Sequence, residues 1–380
     1  MGERRPAEVF HPGEHLLDEL NARGWTQTEF AEIISRPVRM VNEVINGKRG
    51  ITPETATEFG AAIGTSPEFW MNLDTAYHLW KLGEVDISSI EHRAKMRNAY
   101  PMRDMALRGW IRFSEDTQVV MSQLLRFFEV NSLDDRPLLA ISATPKRSEA
   151  DSENLSPVQV AWLYRVKHIA NAMQVPPYSE NSLKGGLSQL KAFRENPEEI
   201  RLIPQLLENC GIRFVIVEAL PSSKIDGVTF WLNNYSPVIG LSLRFDRIDN
   251  FWFVLRHEIE HVLRGNGKDT VVVDSDLDNT SLEPENLSDD EKIANLAAAD
   301  FCVPQKELEN FIARVSPLFS RVRVLAFAQK HKVHPGLVAG QLQRNLKRYD
   351  LFRPMLIPVK SIVISVAMTD GFGHVLPIEI

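Results

Sequence analysis

Between Phe251 and Leu263 the chain reads FWFVLRHEIEHVL, a helix that is apolar on most sides and carries His257, Glu258 and His261 near its centre. Phe251, Trp252, Phe253, Val254, Leu255, Val262 and Leu263 surround the motif, so the segment belongs in an interior, behind a cleft. Imidazoles and a carboxylate taken into such an interior need partners. Residues four apart on a helix rise only about 6 Å and share a face, so both imidazoles reach one tetrahedral ion. Glu258 is placed to take a proton from a water rather than to bind the ion. A surface helix with Glu and His paired along one face is the weaker alternative.

Two histidines leave a catalytic zinc short of a third protein ligand, the fourth position staying open. The acidic residues from Asp269 to Glu291 are the candidates. Glu291 is favoured because it begins a regular helix, whereas Asp274, Asp276, Asp278, Asp289 and Asp290 belong to a stretch whose charge density suits solvation. Asn295, one turn past Glu291, is placed to orient a ligand histidine from behind. Cys302 shares that face but sits about 16 Å along the axis, which suits a core position better than a ligand.

The first 80 residues have a different texture. Gly24 stops HLLDELNARG, Thr26 caps TQTEFAEII, Pro37 opens PVRMVNEVI, and Thr52-Pro53 and Ser66-Pro67 open two further helices. Five short helices, the second and third joined by a tight turn, predict a helix-turn-helix module. Arg36, Arg39, Lys48 and Arg49 cluster around the third helix, where phosphates would be met.

TQTEFAEII, the third helix with its NGKRGITPETA continuation, and GTSPEFWMNLD resemble the Xre-like helix-turn-helix of HigA-type antitoxins over nearly the whole segment. The resemblance implies that the third helix enters the major groove. Arg39, Met40, Asn42 and Glu43 would then read bases, while Gln27, Lys48 and Arg49 would sit on phosphates and Arg36 on either. Glu43 could accept from cytosine N4 or pair with Arg39 at helical spacing.

From 81 to 203 the apolar residues recur at helical spacing, with polar loops such as ATPKRSEADSENLSP between them, one of which reads as a hinge. The excess of arginine and lysine between Arg93 and Arg147 suits the solvated face of a helical bundle, or else extra DNA-contacting surface. After Pro204, IRFVIVEAL, GVTFWLN and SPVIGLSL predict a small antiparallel sheet. One or two strands are expected around Asp370-Gly371. The fold class expected is mainly α with a small β-sheet (α+β), in four parts: 1–80 helix-turn-helix, 81–203 helical connector, 204–350 metallopeptidase, and 351–380 a short strand-rich tail.

SPVIGLSLRFDRIDNFWFVLRHEIEH followed by EKIANLAAADFCVP resembles the ImmA/IrrE metallo-endopeptidases, from about Asn209 to Pro304 and, with His334-Pro335-Gly336, toward 350. One departure is Ala297, where an aromatic is common. The resemblance implies a zincin-like domain with zinc on His257, His261 and Glu291 and with Glu258 as general base. It also implies an extended peptide substrate added to PVIGLSL, and repressor-type proteins as substrates. His334 stays structural in this reading, and His331 and His374 take no role.

The formal charge of -7 argues against nucleic-acid binding over the whole surface, but the deficit is concentrated before Glu291 and leaves the basic cluster of the third helix intact. Two cysteines exclude a disulfide framework, and no apolar run approaches the roughly 18 residues of a spanning helix, so a cytoplasmic protein without membrane contact is expected. Operator DNA is the expected partner, bound as a homodimer. The other reading is a HigA-like antitoxin and autorepressor that binds DNA and a small toxin, its zinc domain a sensor or scaffold.

Overall fold

The computed structural model describes residues 9–83, 88–132, 135, 155–268, 271–275 and 288–377. The chain divides into two compact units, Met1–Ser89 and Ile90–Ile380.

The first unit contains α1 (Pro12–Arg23), α2 (Gln27–Ile33), α3 (Val38–Ile45), α4 (Pro53–Ile63) and α5 (Pro67–Leu82). Thr26, Thr52 and Ser66 accept backbone N–H groups at the starts of α2, α4 and α5, each such cap contributing about 1 kcal/mol. His11 caps α1 in the same way, a role its sequence position does not advertise. Phe30, Phe59 and Trp70 meet edge to face at 5.3 and 5.5 Å between ring centroids. Leu16, Leu20, Met40, Val41 and Val44 complete this core. Ile33 lies outside it, 49% exposed, because the helix ends there and Ile34 takes the inward position.

α6 (Ser88–Ala99) starts two residues before the division, and the second unit continues with α7 (Met102–Leu107), α8 (Thr117–Phe127), α9 (Pro157–Ala172) and α10 (Glu180–Phe193), after which a 3-10 turn (Pro197–Leu202) runs directly into α11 (Ile203–Asn209). β1 (Arg213–Val217), β2 (Ile225–Trp231), β3 (Pro237–Leu241), α12 (Ile248–Arg264) and β4 (Val272–Ser275) follow. The chain ends through α13 (Asp289–Cys302), α14 (Gln305–Val315), α15 (Arg321–His331), α16 (Pro335–Leu346), α17 (Lys360–Ile364) and β5 (Met368–Asp370). The architecture is α+β, as the sequence predicts. Most of the hinge stretch 143–157 lies outside the described residues.

The sheet has the order β4-β2-β3-β1-β5. It is mixed rather than antiparallel: β2 runs against β3 and β4, while β1 is parallel to both β3 and β5. Strands buried on both faces read as continuous apolar runs, and such runs carry no signal for partner or direction. One face of the sheet puts Val215, Val217, Val228, Phe230 and Val238 in a core with Trp162 and Val166 of α9. The other puts Phe214, Ile216, Trp231, Ile239 and Leu241 against Phe251, Trp252 and Ile259 of α12.

This layering corrects two expected boundaries. Residues 81–203 do not form a free-standing connector, because α9 is one of the layers on the sheet. The tail is not an appendage either, since β5 closes the sheet beside β1. Arg165 of α9 donates to both carboxylate oxygens of the buried Asp370, at 2.9 and 3.0 Å, and Trp110 Nε1 donates to the same carboxylate at 2.6 Å. The divisions at 203/204 and 350/351 therefore run through one unit. Among the described residues no helix is long and apolar enough to cross a membrane.

Candidate metal centre and nucleic-acid face

α12 is buried on nearly all sides and is stopped by Gly265, whose left-handed conformation (φ 74°) closes the last turn. His257, Glu258 and His261 have no solvent exposure. The Nε2 atoms of His257 and His261 face each other at 3.0 Å. Glu291, in the first turn of α13 under the cap of Ser288, brings Oε2 to 3.3 Å from His257 Nε2 and Oε1 to 3.4 Å from His261 Nε2. Donors bound at 2.0–2.1 Å to a tetrahedral ion stand about 3.3 Å apart, so these spacings fit zinc.

A fourth donor joins them. Asp274 lies on β4 and is buried, with Oδ2 3.2 Å from His257 Nε2 and 4.0 Å from His261 Nε2. Ligand atoms of His257, His261, Asp274 and Glu291 all fall within 4.8 Å of one another. The expected solvation of Asp274 is thus corrected: pairing of β4 with β2 withdraws it from water. Asp289 and Asp290 start α13 outside this group, and Asp276 and Asp278 lie outside the described residues.

The charges answer one another. Burial pulls the His257 imidazole down, but the Asp274 and Glu291 carboxylates outweigh it and hold the ring well above its ordinary value. Burial likewise opposes ionisation of Glu291, and its hydrogen bonds to His257 and His261 more than offset this, holding its carboxyl well below the usual range. Burial first, and the Asp274 charge second, push Glu258 well above that range.

Glu258 is held from the sheet. Thr229 Oγ1 donates to its Oε2 at 2.6 Å, Oε1 lies against β2, and the carboxyl shares a hydrogen bond with Asp274. A Cβ on Gly227 would come within 2.0 Å of that Oε1, so β2 admits the carboxylate only because residue 227 lacks a side chain. The Asn266 side-chain amide stands 3.2 Å from His261 Nδ1. Asn295 is half-buried and, among the described residues, hydrogen-bonds neither imidazole. Gly227 and Thr229, two apart on a strand, carry a period-2 signal toward α12, although nothing in the sequence pairs them with Glu258. His334 caps α16, accepting from Gly336 N at 3.0 Å. Cys302 is buried in the core, its thiol pushed up to about 12 by that burial.

On the first unit, α3 presents Arg39, Asn42 and Glu43 outward. Asn42 Nδ2 donates to Gln27 Oε1 at 3.2 Å, and Asn46 donates to Asn42. Glu43 takes the pairing alternative, 2.9 Å from Arg39 and 3.6 Å from Arg49. Arg36 is bound through two nitrogens to Glu58 of α4, and Lys48 is exposed. Met40 is corrected: it is 7% exposed and packs in the core, on the inward stripe with Val41 and Val44.

Residues 16–70 match the family model described as Helix-turn-helix. The uncharacterized HTH-type transcriptional regulator YddM of Escherichia coli K12 is 33% identical over 90 residues, 23% of this chain and 86% of that protein. Antitoxin HigA-1 of Vibrio cholerae is 38% identical over 78 residues, 20% of this chain and 70% of that protein. A structure of the Pseudomonas aeruginosa antitoxin HigA with the higBA promoter is 32% identical, covers 22% of this chain and 94% of its own, and has a TM-score of 0.21.

Proposed function

Because this chain belongs to the helix-turn-helix family through its first unit, we propose that it is a DNA-binding transcriptional regulator whose second unit is a zinc-dependent endopeptidase of the ImmA/IrrE type. Operator DNA is the proposed partner of α3, met by Arg39 and Asn42 at base edges and by Gln27, Lys48 and Arg49 at phosphates. Asn42 and Gln27 already hydrogen-bond each other, which holds them at one place on the surface. A homodimer would engage two half-sites.

The single observation that carries the peptidase reading is the convergence of His257, His261 and Glu291 at tetrahedral spacing beside a buried Glu258. A zinc ion held by these three residues would supply Lewis acidity toward a scissile carbonyl. Glu258 accepts a proton from the attacking water and returns it to the leaving amine. Thr229 fixes Oε2 of that carboxylate, and the other oxygen would carry the proton. With its amide turned so that Oδ1 faces the ring, Asn266 would accept the Nδ1–H of a ligating His261 and hold that ring in register. The proposed substrate is a repressor-type protein. Co-expression of wild type and Glu258→Gln with candidate Xre-type repressors tests this: the repressor is expected to be cut by the wild type only, and equal cutting by both refutes it.

A second reading is supported by Asp274, which brings the protein donors to four, the number of a closed structural site. The chain would then be an antitoxin and autorepressor that binds DNA and a small toxin, its zinc unit a scaffold. Stoichiometric zinc with intact partners under all conditions favours it.

A further inference from the structure

The peptide-binding strand expected at PVIGLSL cannot serve, because β3 is paired on both sides, by β2 and by β1. The sheet edge beside Glu258 is the outer edge of β2, and β4 covers it. The register sets Asp274 opposite Gly227, Val273 opposite Val228 and Val272 opposite Thr229. β4 thus occupies the backbone groups flanking the two residues that hold Glu258, and it carries a carboxylate in among the metal donors.

Resting on the peptidase reading, we infer that β4 is a built-in substrate mimic: an autoinhibitory strap that closes the β2 edge and makes Asp274 the fourth metal ligand. Two independent features require it to leave before catalysis. An extended peptide added to β2 needs the same N–H and C=O groups that β4 uses, so the two exclude each other. A hydrolytic zinc needs one position free of protein ligands, and Asp274 fills it. Asp274 Oδ2 faces the same ring nitrogens as Glu291, 3.2 Å from His257 Nε2 and 4.0 Å from His261 Nε2, where a shared ion would sit. Among the described residues the paired strand spans four positions, Val272–Ser275, short enough for a longer peptide to displace.

The test uses the full-length chain loaded with Co2+, titrated with acetohydroxamate and followed by visible absorption, with metal affinity measured by chelator competition. The wild-type spectrum is expected to ignore acetohydroxamate. That of Asp274→Ala is expected to shift, with affinity lowered by at least the ~10-fold typical of losing an outer partner. Asp274→Asn, which preserves volume in the ladder, is expected to show the same response in weaker form and serves if the alanine variant does not fold. A wild-type spectrum that shifts as readily as the variant's overturns the strap while leaving the metal centre standing. A wild-type chain that takes up no Co2+ overturns the metal-centre reading itself.

Discussion

Gly227 on β2 stands against Glu258 on α12 so closely that a methyl group at residue 227 would lie 2.0 Å from Oε1 and 2.9 Å from Cδ. Both residues are fully enclosed, so neither can move aside into solvent. Gly227→Ala is expected to destabilise the second unit by about 1–3 kcal/mol and to disable peptide hydrolysis. In a Glu258→Ala background much of the stability loss should vanish, because the severest clash is gone and only Val254 Cγ1, at 2.9 Å, still has to give way. Denaturant titration of the four proteins of this cycle checks it, and full additivity would show that the contact is unimportant.

Met40 and Asn42 sit two residues apart on α3, yet predict opposite phenotypes. Met40→Ala should cost the first unit about 2–5 kcal/mol through an unfilled core position. Asn42→Ala should leave stability within about 0.5 kcal/mol and weaken operator binding by about 1–3 kcal/mol. Lys48→Ala should reduce the salt dependence of DNA affinity by about one ion. Thermal melting and binding measured at several salt concentrations separate the three.

His168 of α9 is buried against Phe127 and Tyr164. That burial holds its imidazole down to about 4, against an ordinary 6.5. Between those values the unfolded chain binds a proton that the folded chain refuses, so stability rises with pH across that window and is lost as the solution is acidified through it. The effect is on the order of 3 kcal/mol at most. His168→Leu should flatten this part of the stability profile, whereas a variant with the wild-type slope would show that His168 is not its source.

Much of the fold was readable because its signals are local. Thr26, Thr52, Ser66 and Gly265 mark helix ends by chemistry that acts within four residues, and the spacing of His257 and His261 places both on one face wherever the helix packs. What escaped depends on partners distant in sequence. The direction of β1 relative to β3 is set by neighbours, not by its own apolar run. Asp274 reads as one more solvated acid because only the pairing of its strand with β2 withdraws it, and Met40 reads like its exposed neighbours because the inward stripe of α3 is set by the other helices.

The ion pair between Arg165 and Asp370 shows how deeply β5 is built in, both side chains being 2% exposed. Asp370→Ala leaves a buried guanidinium without its carboxylate and should cost about 3–5 kcal/mol. Truncation before β5 should cost at least as much, since it also opens the edge of β1. A truncated chain with wild-type stability would show the tail to be dispensable.

The most direct measurement concerns Glu258, made in both the wild-type and Asp274→Ala chains, with bound zinc and cleavage of a peptide library by mass spectrometry followed in parallel. Glu258→Gln is expected to keep one zinc per chain and to abolish every cleavage that its parent shows, consistent with the 10²–10⁴-fold contribution of a general base. Undiminished cleavage by Glu258→Gln, or zinc-loaded parents that cleave no peptide in either background, would contradict the account.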